Sequence, residues 1–126
     1  MQPADIIIVD DNLAIREALA EYLSDCGFAV RTAGDGAALD LLLQTNVADV
    51  LLLDVNLPHE NGYAIAARVR DTLPAVGILL LSARFFAGNA QVHAAVADMQ
   101  LPKPVEPQAL VLALHQLCAL AIARRK

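Results

Sequence analysis

Three short stretches of this chain are apolar at nearly every position, and each ends on a polar residue. Ile6-Ile7-Ile8-Val9 runs into Asp10, Val50-Leu51-Leu52-Leu53 into Asp54, and Gly77-Ile78-Leu79-Leu80-Leu81 into Ser82. A strand with one face in water alternates apolar and polar residues, whereas a uniformly apolar strand is covered on both faces. Doubly covered strands belong to parallel sheets flanked by helices, because a parallel pair needs a crossover long enough to hold a helix.

The segments between the runs have that length and suitable punctuation. After Asp10-Asp11-Asn12, which offers an N-cap, the spacing predicts a helix. Its apolar face carries Ile15, Ala18, Leu19, Tyr22 and Leu23, with Arg16, Glu17, Glu21 and Asp25 mostly on the other. A second strand is expected over 28–32, a turn at Gly34-Asp35-Gly36, and a helix over 37–44. A helix over 63–72 buries Ile65, Ala66 and Val69 until Pro74 stops it. Beyond Ser82 a helical pattern with Gly88 and Asn89 near its start covers 85–97, and Met99 to Leu101 reads as a fifth strand. Pro107 suits the first turn of a last helix running to about 124. Leu110, Val111, Leu114, Leu117, Cys118 and Ala121 form its docking stripe, with Leu112, Ala113, Leu120 and Ile122 largely off it. The basic tail Arg124-Arg125-Lys126 complements that helix's C-terminus. The order βαβαβαβαβα predicts one α/β domain over residues 1–126. It is a single doubly wound five-stranded parallel sheet with helices on both faces.

Composition removes several function classes. Hydrophobic residues make up 57% and charged residues 18%, which excludes a disordered chain. Fourteen acidic against nine basic residues give a net charge of −5, so direct nucleic-acid binding is not expected. Cys26 and Cys118 lie in apolar helical patterns, which supports neither a disulfide framework nor a thiolate metal site. The first residues carry no basic segment of a secretory signal. The longest helix-like apolar run, 109–123, is interrupted by His115 and Gln116 and is too short for a bilayer. The expectation is a soluble, cytoplasmic protein without membrane contact.

In an open parallel α/β sheet, sites form beyond the carboxyl ends of the strands. Asp10 and Asp11 follow the first strand, Asp54 the third, Ser82 the fourth and Lys103 the fifth. A lone strand-end aspartate is ordinarily a turn former or helix cap. Five polar residues brought to one edge from remote parts of the chain make a constellation. Three crowded carboxylates repel, so they either hold a proton or bind a cation. A hard, all-oxygen donor set suits Mg2+, which also accepts an external phosphate oxygen. Lys103 adds an ammonium and Ser82 a hydroxyl, which completes a phosphoryl pocket around Asp54. A carboxylate so placed can act as a nucleophile and form an acyl phosphate.

These residues resemble the receiver domains of two-component response regulators. The likeness covers about 6–124. It rests on Val9-Asp10-Asp11, Leu53-Asp54-Val55-Asn56-Leu57-Pro58 with Gly62, Leu81-Ser82-Ala83 and Lys103-Pro104. The resemblance implies a flavodoxin-like fold of receiver type and a regulatory role, with at most Mg-dependent self-phosphorylation and self-dephosphorylation. It implies that Asp54 accepts a phosphoryl group from a phosphohistidine on a sensor histidine kinase or phosphotransfer protein. Asp10, Asp11 and Asp54 then hold Mg2+ with the backbone carbonyl of Asn56, Ser82 moves toward the phosphoryl group, and Lys103 pairs with it. Ala83, Arg84, Asn56 and Gln100 become neighbours of the phosphoryl group or of the switch. The Lys103–Pro104 bond is expected to be cis. A homodimer or effector contact is implied on the face formed by the helix over 85–97, the fifth strand and the last helix.

The chain also departs from the family pattern. Gln100 stands where the family carries an aromatic residue three positions before the lysine, and Pro102 directly precedes Lys103. Arg84 either pairs with a phosphoryl oxygen, pairs with the resting carboxylates, or is solvated. The Asn56 side chain either meets the leaving group or hydrolytic water, or faces solvent. His59, His93 and His115 lack metal-ligand spacing and read as surface residues. One ring of Phe85-Phe86 is expected to be exposed or to take over part of the missing aromatic's work. Three functions remain: a phosphorylation-controlled signalling domain, a receiver-like interaction module with phosphate-independent output, and an aspartate-nucleophile phosphatase. Such a phosphatase needs a second acid two residues after its nucleophile, where this chain has Asn56.

Overall fold

Apolar runs become strands, and helices occupy the described segments after the first, second, third and fifth of them, in the structure, a computed structural model that describes residues 3–82 and 96–125. The strands are β1 (Asp5–Val9), β2 (Ala29–Ala33), β3 (Val50–Asp54), β4 (Gly77–Ser82) and β5 (Met99–Pro102). The helices are α1 (Leu13–Asp25), α2 (Gly36–Thr45), α3 (Gly62–Thr72) and α4 (Pro107–Arg124). The five strands pair in parallel in the order β2-β1-β3-β4-β5.

The pleat explains why the central strands carry polar residues only at their ends. Ile7, Val9, Leu51, Leu53, Ile78 and Leu80 point to one face and meet Leu39 of α2 and Ile65, Ala66 and Val69 of α3. Ile6, Ile8, Val50, Leu52, Leu79 and Leu81 point to the other and meet Leu23 of α1 and Leu110, Leu114 and Leu117 of α4. A side-chain period of two therefore feeds two cores from each strand. The edge strands β2 and β5 are only partly buried and carry mixed sequences.

The helix starts follow from local chemistry. Asn12, Asp35 and Asn61 cap α1, α2 and α3 by accepting the backbone N–H of Ile15, Ala38 and Tyr63, respectively. The Gly34-Asp35-Gly36 segment is thus the entry to α2, as expected of a turn. Gly27, with φ +100°, ends α1 in the left-handed region.

Several expectations are corrected. The inward face of α1 carries Arg16, Leu19, Ala20 and Leu23, whereas Ile15, Ala18 and Tyr22 are exposed. Both sets have helical spacing. The choice falls to the rim of the sheet, where Arg16 finds a backbone partner. On α4, Ala113 is buried and Val111 only half-buried, so the stripe is rotated slightly from its expected place. The tail arginines do more than complement a helix end: Arg124 pairs with Asp98 and Arg125 with Asp49. At 18 residues α4 is long and apolar enough to cross a membrane by length and composition, against the expectation from the shorter run. Leu110, Ala113, Leu114, Leu117, Cys118 and Ala121 are nevertheless buried in this fold, most of them against the sheet. Cys26 is exposed and Cys118 buried. The helix expected over 85–97, with Phe85, Phe86 and His93, falls almost wholly outside the described residues, as do Ala83 and Arg84.

Candidate functional site

The strand order decides which polar residues meet. β1, β3, β4 and β5 lie side by side, so the residues at their carboxyl ends share one rim. Asp10 leaves β1 buried at 3% exposure, Asp54 closes β3 at 5%, and Ser82 closes β4 at 3%. Asp11 is exposed beside them. Oxygen atoms of Asp10, Asp11 and Asp54 lie within 4.8 Å of one another. Lys103, just beyond β5, brings its Nζ to 3.1 Å from Oδ2 of Asp54 and 3.7 Å from Oδ2 of Asp10. The Lys103–Pro104 bond that turns the chain there is cis.

Local hydrogen bonds aim these groups. Oδ1 of Asp10 accepts the N–H of Asn12 at 2.9 Å, and Oδ1 of Asp54 accepts the N–H of Asn56 at 3.0 Å. Each buried carboxylate thus uses one oxygen to shape its own loop and turns the other toward Lys103. The loop after β3 is drawn tight by an Asn56–Asn61 bridge and by the Gly62 N–H donating to Val55 O at 2.9 Å. A Cβ on Gly62 would stand 2.5 Å from Asp54 O and 2.6 Å from Val55 Cα, both backbone atoms. Only glycine lets α3 begin directly against the strand end that carries Asp54.

Among the described residues, two concavities flank the rim. One, of about 510 Å³, lies beside Asp11, Asn56, His59 and Glu60. The other, of about 350 Å³, is more apolar and lies between Ile15 and Leu19 of α1 and Leu81, Pro104 and Val105, with Asp10 and Lys103 at its edge. The Asn56 side chain and His59 are on exposed residues.

The donor set fits a hard dication. Among the described residues, three converging carboxylates have one ammonium for company, and the clustered donors are all oxygen. The same rim has a cationic side chain opposite the acids, so a bound anion there meets positive charge.

The structure thus brings together Asp10, Asp11, Asp54, Ser82 and Lys103. Asn56 lies at the mouth, while Gln100 lies back along β5 and donates from Nε2 to the Tyr63 hydroxyl at 2.9 Å. Two contributors were not singled out from sequence. Tyr63 gives no signal of its own, since its link to Gln100 spans 37 positions. Arg16 was assigned to the solvent side of α1, yet its NH1 donates to the Asp10 carbonyl at 2.8 Å. Its spacing with Leu19, Ala20 and Leu23 was the available clue.

Comparison with known proteins agrees with this geometry. The model of the response regulator receiver domain matches residues 6–115. The response regulator MprA of Mycobacterium sp. (strain KMS) is 37% identical over 117 residues, covering 91% of this chain and 50% of that protein. The chain therefore spans about half the length of the curated relatives it matches. Among solved structures, the chemotaxis protein CheY4 of Vibrio cholerae superposes with a TM-score of 0.85 at 31% identity, covering 91% of this chain and 98% of that one. The response regulator TrrA of Thermotoga maritima, solved in complex with Mg(2+)-BeF, gives a TM-score of 0.80 at 26% identity, covering 90% and 98%. Fold, rim and sequence agree on one assignment, and the chain belongs to the response regulator receiver domain family.

Proposed function

We propose that residues 1–126 act as one phospho-acceptor unit whose Asp54 takes a phosphoryl group from a phosphohistidine on a sensor histidine kinase or phosphotransfer protein. Receiver domains of response regulators interact with such donors, and they are regulatory rather than metabolic. The observation that carries the reading is the position of Asp54: a buried carboxylate 3.1 Å from Lys103 Nζ and clustered with Asp10 and Asp11. A carboxylate oxygen of Asp54 attacks phosphorus, the phosphorus–nitrogen bond breaks, and the donor imidazole leaves with the electron pair. Lys103 pairs with a phosphoryl oxygen, and the Ser82 hydroxyl at the end of β4 donates to another. Asp10, Asp11, Asp54 and the Asn56 carbonyl are the groups that hold Mg2+, which when bound spreads the negative charge of the transferring group. TrrA in complex with Mg(2+)-BeF supports that assignment by likeness.

Phosphorylation then shifts an existing equilibrium and changes a binding surface. The exposed Leu112, Leu120 and Ile122 on α4 favour a homodimer or effector contact on the side of β5 and α4. The setting is the cytoplasm. Phosphate-ester turnover is disfavoured because Asn56 offers no acid at the position a phosphatase needs. The phosphate-independent module is disfavoured because three clustered carboxylates are costly without a ligand.

The test is intact-mass analysis after incubation with a small phosphodonor and Mg2+. The expected gain is one phosphoryl group, lost in Asp54→Ala and lost when the metal is chelated. No gain in the wild type, or a gain that survives Asp54→Ala, removes this reading.

A further inference from the structure

Asp10 is restrained on every side. Its N–H donates to Ala33 O at 3.1 Å, its Oδ1 accepts from Asn12, and its carbonyl accepts Arg16 NH1 at 2.8 Å. The last contact stands out. The carbonyl of Asp10 lies just past the end of β1, where the ladder to β2 stops. A buried backbone acceptor there needs a partner. The partner comes from α1, and it brings a liability: Arg16 Nε is buried without a hydrogen-bond partner among the described residues. An orphaned buried donor is unfavourable by itself, so the side chain is held at this place by what its other nitrogen does. The neighbouring strand also makes room. Gly34, directly after β2, faces the guanidinium, and a Cβ there would lie 2.9 Å from Arg16 NH1.

We infer that Arg16 is a positioning residue for the divalent-cation site, acting through the Asp10–Asp11 peptide, and that Gly34 is the space it requires. The inference rests on the proposed reading of the acid cluster as an Mg2+ site. The peptide group is planar, so fixing the direction of the Asp10 carbonyl fixes the plane from which the Asp11 side chain departs. Asp11 is exposed, and its carboxylate stands at the rim by backbone direction rather than by burial. Without Arg16 the peptide rotates more freely, and Asp10 and Asp11 spend less time converged on Asp54. Arg16 touches neither metal nor phosphoryl group in this account; it acts through the two aspartates.

The test is an Mg2+ titration of the unphosphorylated full chain, read by the amide chemical shifts of the β1–α1 turn, with thermal melting in chelator as the fold control. Arg16→Met keeps the apolar stem and removes the donors; it is expected to raise the Mg2+ Kd about tenfold, as loss of a contact that orients a ligand commonly does. Gly34→Ala leaves Arg16 in the sequence but pushes its flexible end away from the turn. It is expected to weaken binding by about threefold, and to add nothing to Arg16→Met because both act on one contact. Arg16→Lys, which keeps one usable donor, is expected to recover part of the loss. A folded Arg16→Met protein with wild-type Mg2+ affinity overturns the inference and leaves the function standing. Full additivity of the two substitutions also overturns it. A wild type that shows no saturable Mg2+ binding overturns both together, which separates the two failures.

Discussion

The two rims of the sheet treat their carboxylates in opposite ways. At the amino rim each aspartate is matched. Asp5 is paired with Arg31, Asp49 with Arg125, and Asp98 with both Arg70 and Arg124. Backbone donors add to this, since Asp49 accepts the Asp5 N–H at 2.8 Å and Asp98 the Ile78 N–H at 2.9 Å. At the carboxyl rim Lys103 pairs with Asp54 and Asp10, Asp11 clusters with those two, and no other ion pair reaches the three among the described residues. The matched rim ties strand starts to helix ends and stabilises the fold. Among the described residues the carboxyl rim has more negative charge than its one lysine neutralises, and its three carboxylates could hold a cation. Arg16 sharpens the contrast: among the described residues it is an arginine at the carboxyl rim that donates to a backbone carbonyl rather than to a carboxylate.

The largest effect expected of this contrast is on stability. Asp98→Ala removes the carboxylate partner of Arg70 and Arg124, leaving them only backbone carbonyl acceptors, and leaves the Ile78 N–H without its acceptor. It should lower the unfolding free energy by about 3 kcal/mol, measured by urea denaturation, because breaking a mostly buried ion pair exposes the partner's desolvation. Mg2+ affinity should stay at the wild-type value. A loss of metal binding in this variant would erase the division between rims.

The acid limb of stability follows from the same residue. Burial pushes the Asp98 carboxyl upward, but hydrogen bonds from Arg124, the Ile78 N–H and Arg70 outweigh it and hold the group below its ordinary value of 3.8. Its folded-state pKa is depressed, so its contribution is fully present above the unfolded value and lost as pH falls through the folded one. Asp98→Asn should therefore flatten the decline in melting temperature below about pH 4. An unchanged acid limb would remove Asp98 from this role.

Next in size is the response to metal. Mg2+ at a hundredfold excess over its Kd should stabilise the wild type by about 2.7 kcal/mol through linkage, read as a rise in melting temperature. Asp54→Ala should abolish most of that rise. Smaller still, Asp11→Asn should stabilise the metal-free protein by about 0.5–1 kcal/mol by relieving repulsion at an exposed charge, while weakening Mg2+ binding. Destabilisation by this change would mean that the carboxyl rim is as satisfied as the amino rim. The smallest effect concerns Tyr63→Phe, which deletes the acceptor of Gln100 and should cost about 0.5–1 kcal/mol. Equality with wild type would reduce that contact to a surface coincidence.

The rim residues were legible because they need little beyond topology. Parallel strands all end on the same side, so Asp10, Asp54, Ser82 and Lys103 meet as soon as the alternation of strands and helices is recognised. The family likeness rests on the same four places. Arg16 was missed for a physical reason. Ile15, Ala18 and Tyr22 offer an apolar face for α1, yet all three are exposed, Ile15 at 43% and Tyr22 at 36%. Spacing proposes two faces a partial turn apart, and the winner depends on an acceptor supplied by another element. The ion pairs of the amino rim were hidden too, because Arg70–Asp98 and Arg124–Asp98 join residues 28 and 26 positions apart.

The sequence by itself determined the class of fold, the strands with two covered faces, the helix caps and the acidic residues at strand ends. These follow from local periodicity and from side chains that bond to their own backbone neighbours. Only the tertiary structure decided how far each helix is rotated about its axis, which charges are neutralised, and that Gln100 reaches Tyr63. Those outcomes depend on distances between elements remote in the chain, and such distances exist only once the sheet has formed.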